Sequence, residues 1–148
     1  MQIKELGHVV FFVRDLEKSV NFYGNILGFK QIDIPMRGGA LFSSGRTHHE
    51  MLLIEVGPHA ALPPKGPRAG LYHIGLKIGD TKDELRAAKT ELEEAGVTIV
   101  GMSDHTVTNS LYLLDPDGNE IELYVDVNKE LWQKDPTLIA SPTKPLYL

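Results

Sequence analysis

Cysteine is absent from all 148 residues. This excludes disulfides and thiolate metal sites, and it leaves histidine, aspartate and glutamate as the side chains able to hold a metal. Long apolar runs are absent too. The run Val9 to Val13 near the N-terminus is far too short for the hydrophobic segment of a signal peptide or for a membrane span, so a cytoplasmic protein without a membrane partner is expected. Basic charge is not in excess either. Fifteen Lys and Arg stand against 20 Asp and Glu, a formal net charge of −5, with both signs mixed along the chain. No basic stripe advertises nucleic acid, and the remaining class of partner is a small molecule.

What the chain does have is a repeat. Leu6-Gly7-His8-Val9 is answered 65 residues later by Leu71-Tyr72-His73-Ile74, and Val13-Arg14-Asp15 by Ile78-Gly79-Asp80 at the same shift. Leu27-Gly28-Phe29 is echoed by Ala95-Gly96-Val97 at a shift of 68, and Ile54-Glu55-Val56 by Ile121-Glu122-Leu123 at 67. Each half thus carries a histidine early and a glutamate late, both in strand-like apolar runs. With 42% hydrophobic residues, the length suits one domain with a shared core better than two half-size modules stable apart.

Local signals give each half the order βαβββ. A strand from about Leu6 to Val13 leads to Asp15 at an N-cap position, then to a helix carrying Leu16, Val20, Tyr23 and Leu27, ended by Gly28. Short strands are expected near 29–32 and 40–43, and a longer one from about His48 to Val56. The second half repeats the order with a strand over 72–78, a helix near 82–95, and strands near 98–102, 106–114 and 119–125. Asp115-Pro116-Asp117-Gly118 is a turn, proline setting the second position and glycine relieving the fourth. Module 1 therefore spans about 4–57, a proline-rich linker 58–70, module 2 about 71–126, and an extended tail 127–148. The expected fold is α+β: two tandem βαβββ modules forming one curved mixed sheet around a metal-binding cleft, with helices on the outer face.

Strand alternation sorts the side chains. His73, Gly75 and Lys77 share one face of their strand, Glu120, Glu122 and Tyr124 one face of theirs, and Thr108, Ser110 and Tyr112 the polar side of another. His49, Met51, Leu53 and Glu55 fall on one parity. Two imidazoles and one carboxylate suit Fe(II) with open positions for substrate and oxygen, whereas a second carboxylate, Glu55, would suit Mn, Ni, Co or Zn as a Lewis acid.

The repeated βαβββ order, His8, His73 and Glu122, and the segment Leu111 to Glu122 resemble the vicinal oxygen chelate superfamily, which includes extradiol dioxygenases, glyoxalase I, epimerases and antibiotic-resistance proteins. The resemblance covers roughly Lys4 to Asp126 and implies His8, His73 and Glu122 as metal ligands. Gly45-Arg46-Thr47-His48-His49-Glu50 and the run from His105 through Tyr112 to Glu122 are similar to extradiol segments. Ser103, two residues before His105, departs from that signature. The implied enzyme is an extradiol dioxygenase acting on a catechol-type vicinal diol at Fe(II), with His49 as acid and base and with Tyr112 and His105 steadying charge on the reacting oxygens. The alternative is a glyoxalase-I-like lyase or an epimerase using His8, Glu55, His73 and Glu122 around a divalent metal. That reading needs cations for glutathione, for which Arg14, Arg37, Arg46 and Lys77 are the candidates. A third is a drug-binding resistance protein without turnover. Relatives of this length imply a homodimer.

Overall fold

The computed structural model describes residues 1–148, and the chain forms two compact units, Met1–Pro63 and Pro64–Leu148. The first unit runs β1 (Val9–Val13), α1 (Leu16–Val20), β2 (Lys30–Ile32), β3 (Gly39–Ser43) and β4 (Met51–Glu55). Asp15 caps α1, its carboxylate accepting from Lys18 N at 3.0 Å, which satisfies one of the donors that every helix start leaves free. The helix then departs from the regular 3.6-residue period expected of it. Over Asn21–Ile26 it widens into a π-type turn, with Leu27 N reaching back five residues to Phe22 O at 2.9 Å. Phe22 and Tyr23 are buried there, and the Tyr23 ring stacks at 6.0 Å on Phe11 of β1. Gly28, with φ +75°, turns the chain out of the helix.

The first sheet has the order β1-β4-β3-β2, with β1 parallel to β4 and the other pairs antiparallel. Phe11, Val13, Phe42, Met51 and Leu53 form the buried row beneath the helical segment. The opposite row holds Val10 and Phe12, which are 47% and 69% exposed, together with Leu52 and Ile54.

The second unit runs β5 (His73–Gly79), α2 (Lys82–Glu94), β6 (Ile99–Asp104), β7 (Thr108–Leu114) and β8 (Glu120–Asp126), with the two-residue β9 (Lys144–Pro145) at the edge, in the sheet order β5-β8-β7-β6-β9. A capping box starts α2: Thr81 Oγ1 accepts from Glu84 N at 3.3 Å, and Glu84 Oε2 accepts from Thr81 N at 2.9 Å. Leu85 and Leu92 of the helix are buried with Leu111 and Leu113 of β7 and Ile121, Leu123 and Val125 of β8. These odd positions of β7 and β8 are the core face, so Glu120, Glu122 and Tyr112 point to the other. No helix is long and apolar enough to cross a membrane.

Two expectations are corrected. The sheets are two, of four and five strands, rather than one continuous sheet, because every strand finds its ladder partners within its own module. The tail is also not simply extended. It forms α3 (Lys129–Lys134), a 3-10 turn at Pro136–Ala140 capped by Asp135, and the two-residue β9 (Lys144–Pro145), which pairs with the edge strand β6. An edge is where a strand containing proline is tolerated.

Candidate functional site

The first unit holds three of the expected residues. His8 lies immediately before β1 and is exposed, and its ring is 4.5 Å from that of His49. His49 precedes β4, and its Nδ1 adjoins Nδ1 of His48. Partial desolvation, followed by the neighbouring imidazoles of His48 and His8, pushes the His49 imidazole below its ordinary value. Arg46 orders the approach to this cluster. Its guanidinium donates to Leu6 O at 3.2 Å and Gly7 O at 3.0 Å while pairing with Glu5 and Glu50, which fixes the two peptides that lead into His8.

Glu55 is placed elsewhere. It is opposite Val13 in the β1–β4 ladder and shares parity with buried Met51 and Leu53. Its Oε1 accepts from Leu16 N, the first residue of α1, at 3.1 Å. A carboxylate at a helix N-terminus meets unpaired N–H groups and the positive end of the helix dipole, so Glu55 faces the helix, whereas Val10 and the residues of His8's parity face the opposite side. Glu55→Gln is accordingly expected to leave metal content unchanged, measured as bound metal per protein, and to lower stability by about 0.5–1 kcal/mol through the helix start.

The ladders show why the repeat in the sequence misplaced this residue. Val9 lies opposite Met51, and its counterpart Ile74 lies opposite Ile121. The last strands therefore correspond at a shift of 70 (121 − 51), not 67. Glu122 answers to Leu52, Glu120 to Glu50, and Glu55 to Val125.

The second unit gathers the rest. On one sheet face, His73 Nε2 lies 3.3 Å from Glu122 Oε2, and His73 Nδ1 lies 3.3 Å from Glu120 Oε1. His73 is directly opposite Glu120 in the parallel ladder and Gly75 opposite Glu122. A methyl group at Gly75 would stand 3.2 Å from Glu122 Oε2, so the missing side chain lets the carboxylate lean across β5 toward the imidazole. Tyr112, opposite Glu122 on β7, donates its hydroxyl to Glu122 Oε1 at 3.2 Å. Its oxygen is then left to accept from His105 Nε2–H at 2.8 Å, and Thr143 Oγ1 lies 3.4 Å from His105 Nδ1. This relay agrees with one tautomer throughout. Burial, and behind it the charge of Glu122, pushes the Tyr112 phenol up to about 12, so Tyr112 is a neutral donor at working pH.

His105 sits in the β6–β7 turn beside Thr106, whose φ of +74° is unusual for a β-branched residue. Asp104 Oδ1 accepts from Thr106 N at 2.7 Å, and Asn128 Nδ2 donates to Thr106 O at 2.6 Å. These bonds hold the strained residue, and with it the direction of His105.

Within neither unit do three or more His, Asp or Glu side chains form a metal-sized cluster; the expected ligand set draws His8 from the first unit and His73 and Glu122 from the second. A cavity of about 500 Å³ opens at the start of α2, lined by Thr81, Thr106 and Asn109 among others. Asn109 has the core parity of β7, so this cavity is not at the Tyr112 face. Of the cations considered for glutathione, Arg14 donates to Pro58 O at 2.8 Å, Arg46 is engaged as above, and Lys77 pairs with Asp80 and Asp126 at 2.6 Å each. Sequence reasoning missed Glu120 and Gly75 as parts of the site. The available signal was parity: each lies two residues from a named ligand.

Residues 5–123 match the model of the Glyoxalase/Bleomycin resistance protein/Dioxygenase superfamily. The chain is 38% identical over 130 residues to a catechol-2,3-dioxygenase of Bacillus subtilis (strain 168), an alignment that covers 88% of this chain and 44% of that protein. It is 31% identical over 126 residues to biphenyl-2,3-diol 1,2-dioxygenase 2 of Rhodococcus globerulus, covering 82% and 63%. The chain thus spans under half of the first relative's length and under two thirds of the second's. Among solved structures it is similar to a glyoxalase/dioxygenase from Nostoc punctiforme, with a TM-score of 0.69, 23% identity, and 83% and 91% of the two chains covered. That likeness shows a shared fold.

Proposed function

The chain belongs to the Glyoxalase/Bleomycin resistance protein/Dioxygenase superfamily, and from that premise we propose that it is an extradiol-type dioxygenase, cleaving a catechol-like vicinal diol with molecular oxygen at Fe(II) held by His8, His73 and Glu122. The donor set fits such an ion. His73 Nε2 and Glu122 Oε2 are turned toward each other on one sheet face, and imidazole with carboxylate is the chemistry that divalent iron takes. The bound metal would supply the open coordination positions and the one-electron chemistry that oxygen requires.

The protein's own groups supply the rest. His49, whose ring lies 4.5 Å from that of His8, would accept a proton from the diol. Tyr112 donates its one hydroxyl proton to the Glu122 carboxylate and accepts from His105, so it would serve charge developing on a substrate oxygen only by exchanging Glu122 for that oxygen as acceptor. Val10 and Phe12, on the His8 parity of β1, offer apolar surface suited to an aromatic ring.

The observation that carries the choice of branch is the placement of Glu55. Its carboxylate is committed to the start of α1, and the first-module counterpart of Glu122 is Leu52. A set of two histidines and one carboxylate is supported over four ligands, and oxygen chemistry over the isomerase. The test is oxygen consumption by anaerobically Fe(II)-loaded protein given catechol. Uptake with a coloured ring-fission product is expected. Absence of uptake with a panel of diols, together with Ni(II)-dependent turnover of the methylglyoxal–glutathione adduct, would reverse the assignment.

A further inference from the structure

Resting on the reading of His73 as a metal ligand, we infer that Glu120 is a positioning residue for it: its carboxylate takes the Nδ1–H of His73, fixing the tautomer and ring plane that leave Nε2 free to bind a metal.

Three observations carry this. The first is the ladder. Glu120 is the direct cross-strand partner of His73 in a parallel pair, so the backbone itself sets the two side chains on one face, with Glu120 Oε1 3.3 Å from Nδ1. The second is the state of that nitrogen. His73 Nδ1 is buried and makes no hydrogen bond of good geometry, since Glu120 stands within reach but off line. A buried donor left unpaired is costly, and Glu120 Oε1, 3.3 Å away, is the acceptor within reach of it. Carboxylate behind histidine behind metal is a general way of raising ligand basicity and fixing orientation.

The third observation is the contrast between modules. Glu50 is the first-module counterpart of Glu120, yet its oxygens are taken by Ser44 N at 2.8 Å, Ser44 Oγ at 3.0 Å and the Arg46 guanidinium. Glu120 instead has the hydroxyl of exposed Tyr72 as its other partner, whose phenol it pushes above the ordinary value. One module has turned this position to holding a loop; the other keeps a carboxylate facing its histidine.

The test uses Zn(II), which is diamagnetic and competes readily with a chelator. Glu120→Ala is expected to bind Zn(II) about 10- to 100-fold more weakly, and Glu120→Gln, which keeps an acceptor oxygen, should recover most of that loss. In the ¹⁵N spectrum of the Zn(II)-loaded protein, the His73 Nδ1–H should be protected from exchange in the parent and in Glu120→Gln, and lost to exchange in Glu120→Ala. A merely structural residue would not move that signal. The thermal midpoint of the metal-free protein should be the same in all three. If Glu120→Ala binds Zn(II) like the parent while His73→Ala does not, the inference falls and the metal reading stands. If His73→Ala also binds like the parent, both fall. If Glu120→Ala lowers the metal-free thermal midpoint in step with affinity, the role is structural and the inference is overturned.

Discussion

Glu122→Gln is expected to weaken Fe(II) binding by more than about 100-fold, beyond the 10- to 100-fold typical of an outer-shell partner, and to bring catechol-dependent oxygen uptake to background. The substitution is close to isosteric, so the comparison isolates charge. A glutamine oxygen still accepts from Tyr112, which now bonds Glu122 Oε1 at 3.2 Å, and Gly75 still leaves the space that the side chain occupies. What goes is the anion, the whole of the negative charge that two neutral imidazoles and one carboxylate can offer against a dication. A 100-fold loss is about 2.7 kcal/mol, more than the exchange of one neutral hydrogen bond for another would produce. Anaerobic titration calorimetry reads the affinity, and circular dichroism of the metal-free variant should overlay the parent. Retained iron would remove Glu122 from the ligand set. The paired control is Glu55→Gln, which should keep its metal; loss of metal there would restore the four-ligand alternative.

That pair of substitutions also marks the limit of what the sequence discloses. Alternation alone put His73, Glu122 and Tyr112 on one face, because β8 reads cleanly as apolar Ile121, Leu123 and Val125 against Glu120, Glu122 and Tyr124, and the burial follows that division. Asp15 as a cap and Asp115 to Gly118 as a turn were equally legible, since each rests on local chemistry. Glu55 was not. The likeness of Ile54-Glu55-Val56 to Ile121-Glu122-Leu123 is a likeness of letters at a shift of 67, whereas the ladders set the last strands in correspondence at 70. The true correspondence is displaced from it by three residues. An odd displacement in a strand moves a side chain to the opposite face, and no inspection of either triplet reveals it. The π-type turn at Asn21–Ile26 was hidden as well: the apolar spacing of Leu16, Val20, Tyr23 and Leu27 fits a regular helix, and nothing in it marks the five-residue reach from Leu27 N to Phe22 O. Glu120 was visible by parity but could gain a role only once the ladder set it opposite His73.

Asp115→Ala is expected to lower stability by about 3 kcal/mol and, at temperatures where the variant is still folded, to weaken metal binding as well. Asp115 is 5% exposed, and its Oδ1 accepts from Asp117 N at 3.0 Å and Asn119 N at 2.7 Å while Oδ2 accepts from Asn119 Nδ2 at 2.9 Å. Hydrogen bonds to a charged group contribute about 1.5–3 kcal/mol each, and the total is less than their sum because alanine lets water reach the exposed side of the turn. Asp115→Asn keeps one acceptor oxygen but turns an N–H₂ group toward Asn119 Nδ2, so about half the loss should remain. The consequence for the site follows from register. The turn closes with Gly118 N on Asp115 O at 3.0 Å and Asp115 N on Asn119 O at 2.9 Å, and it is this closure that sets Tyr112 opposite Glu122. A slip of one residue would point Glu122 into the core and Ile121 at His73. Burial of Ile121, Leu123 and Val125 opposes that slip, so the correct register should still dominate in the alanine variant but with a larger population of misaligned or frayed states. Denaturant unfolding gives the stability change, and hydrogen exchange at the β7–β8 amides should show loss of protection confined to the Leu113–Ile121 end. Unchanged protection with unchanged metal affinity would mean that the apolar row alone fixes the register and that the turn merely follows it.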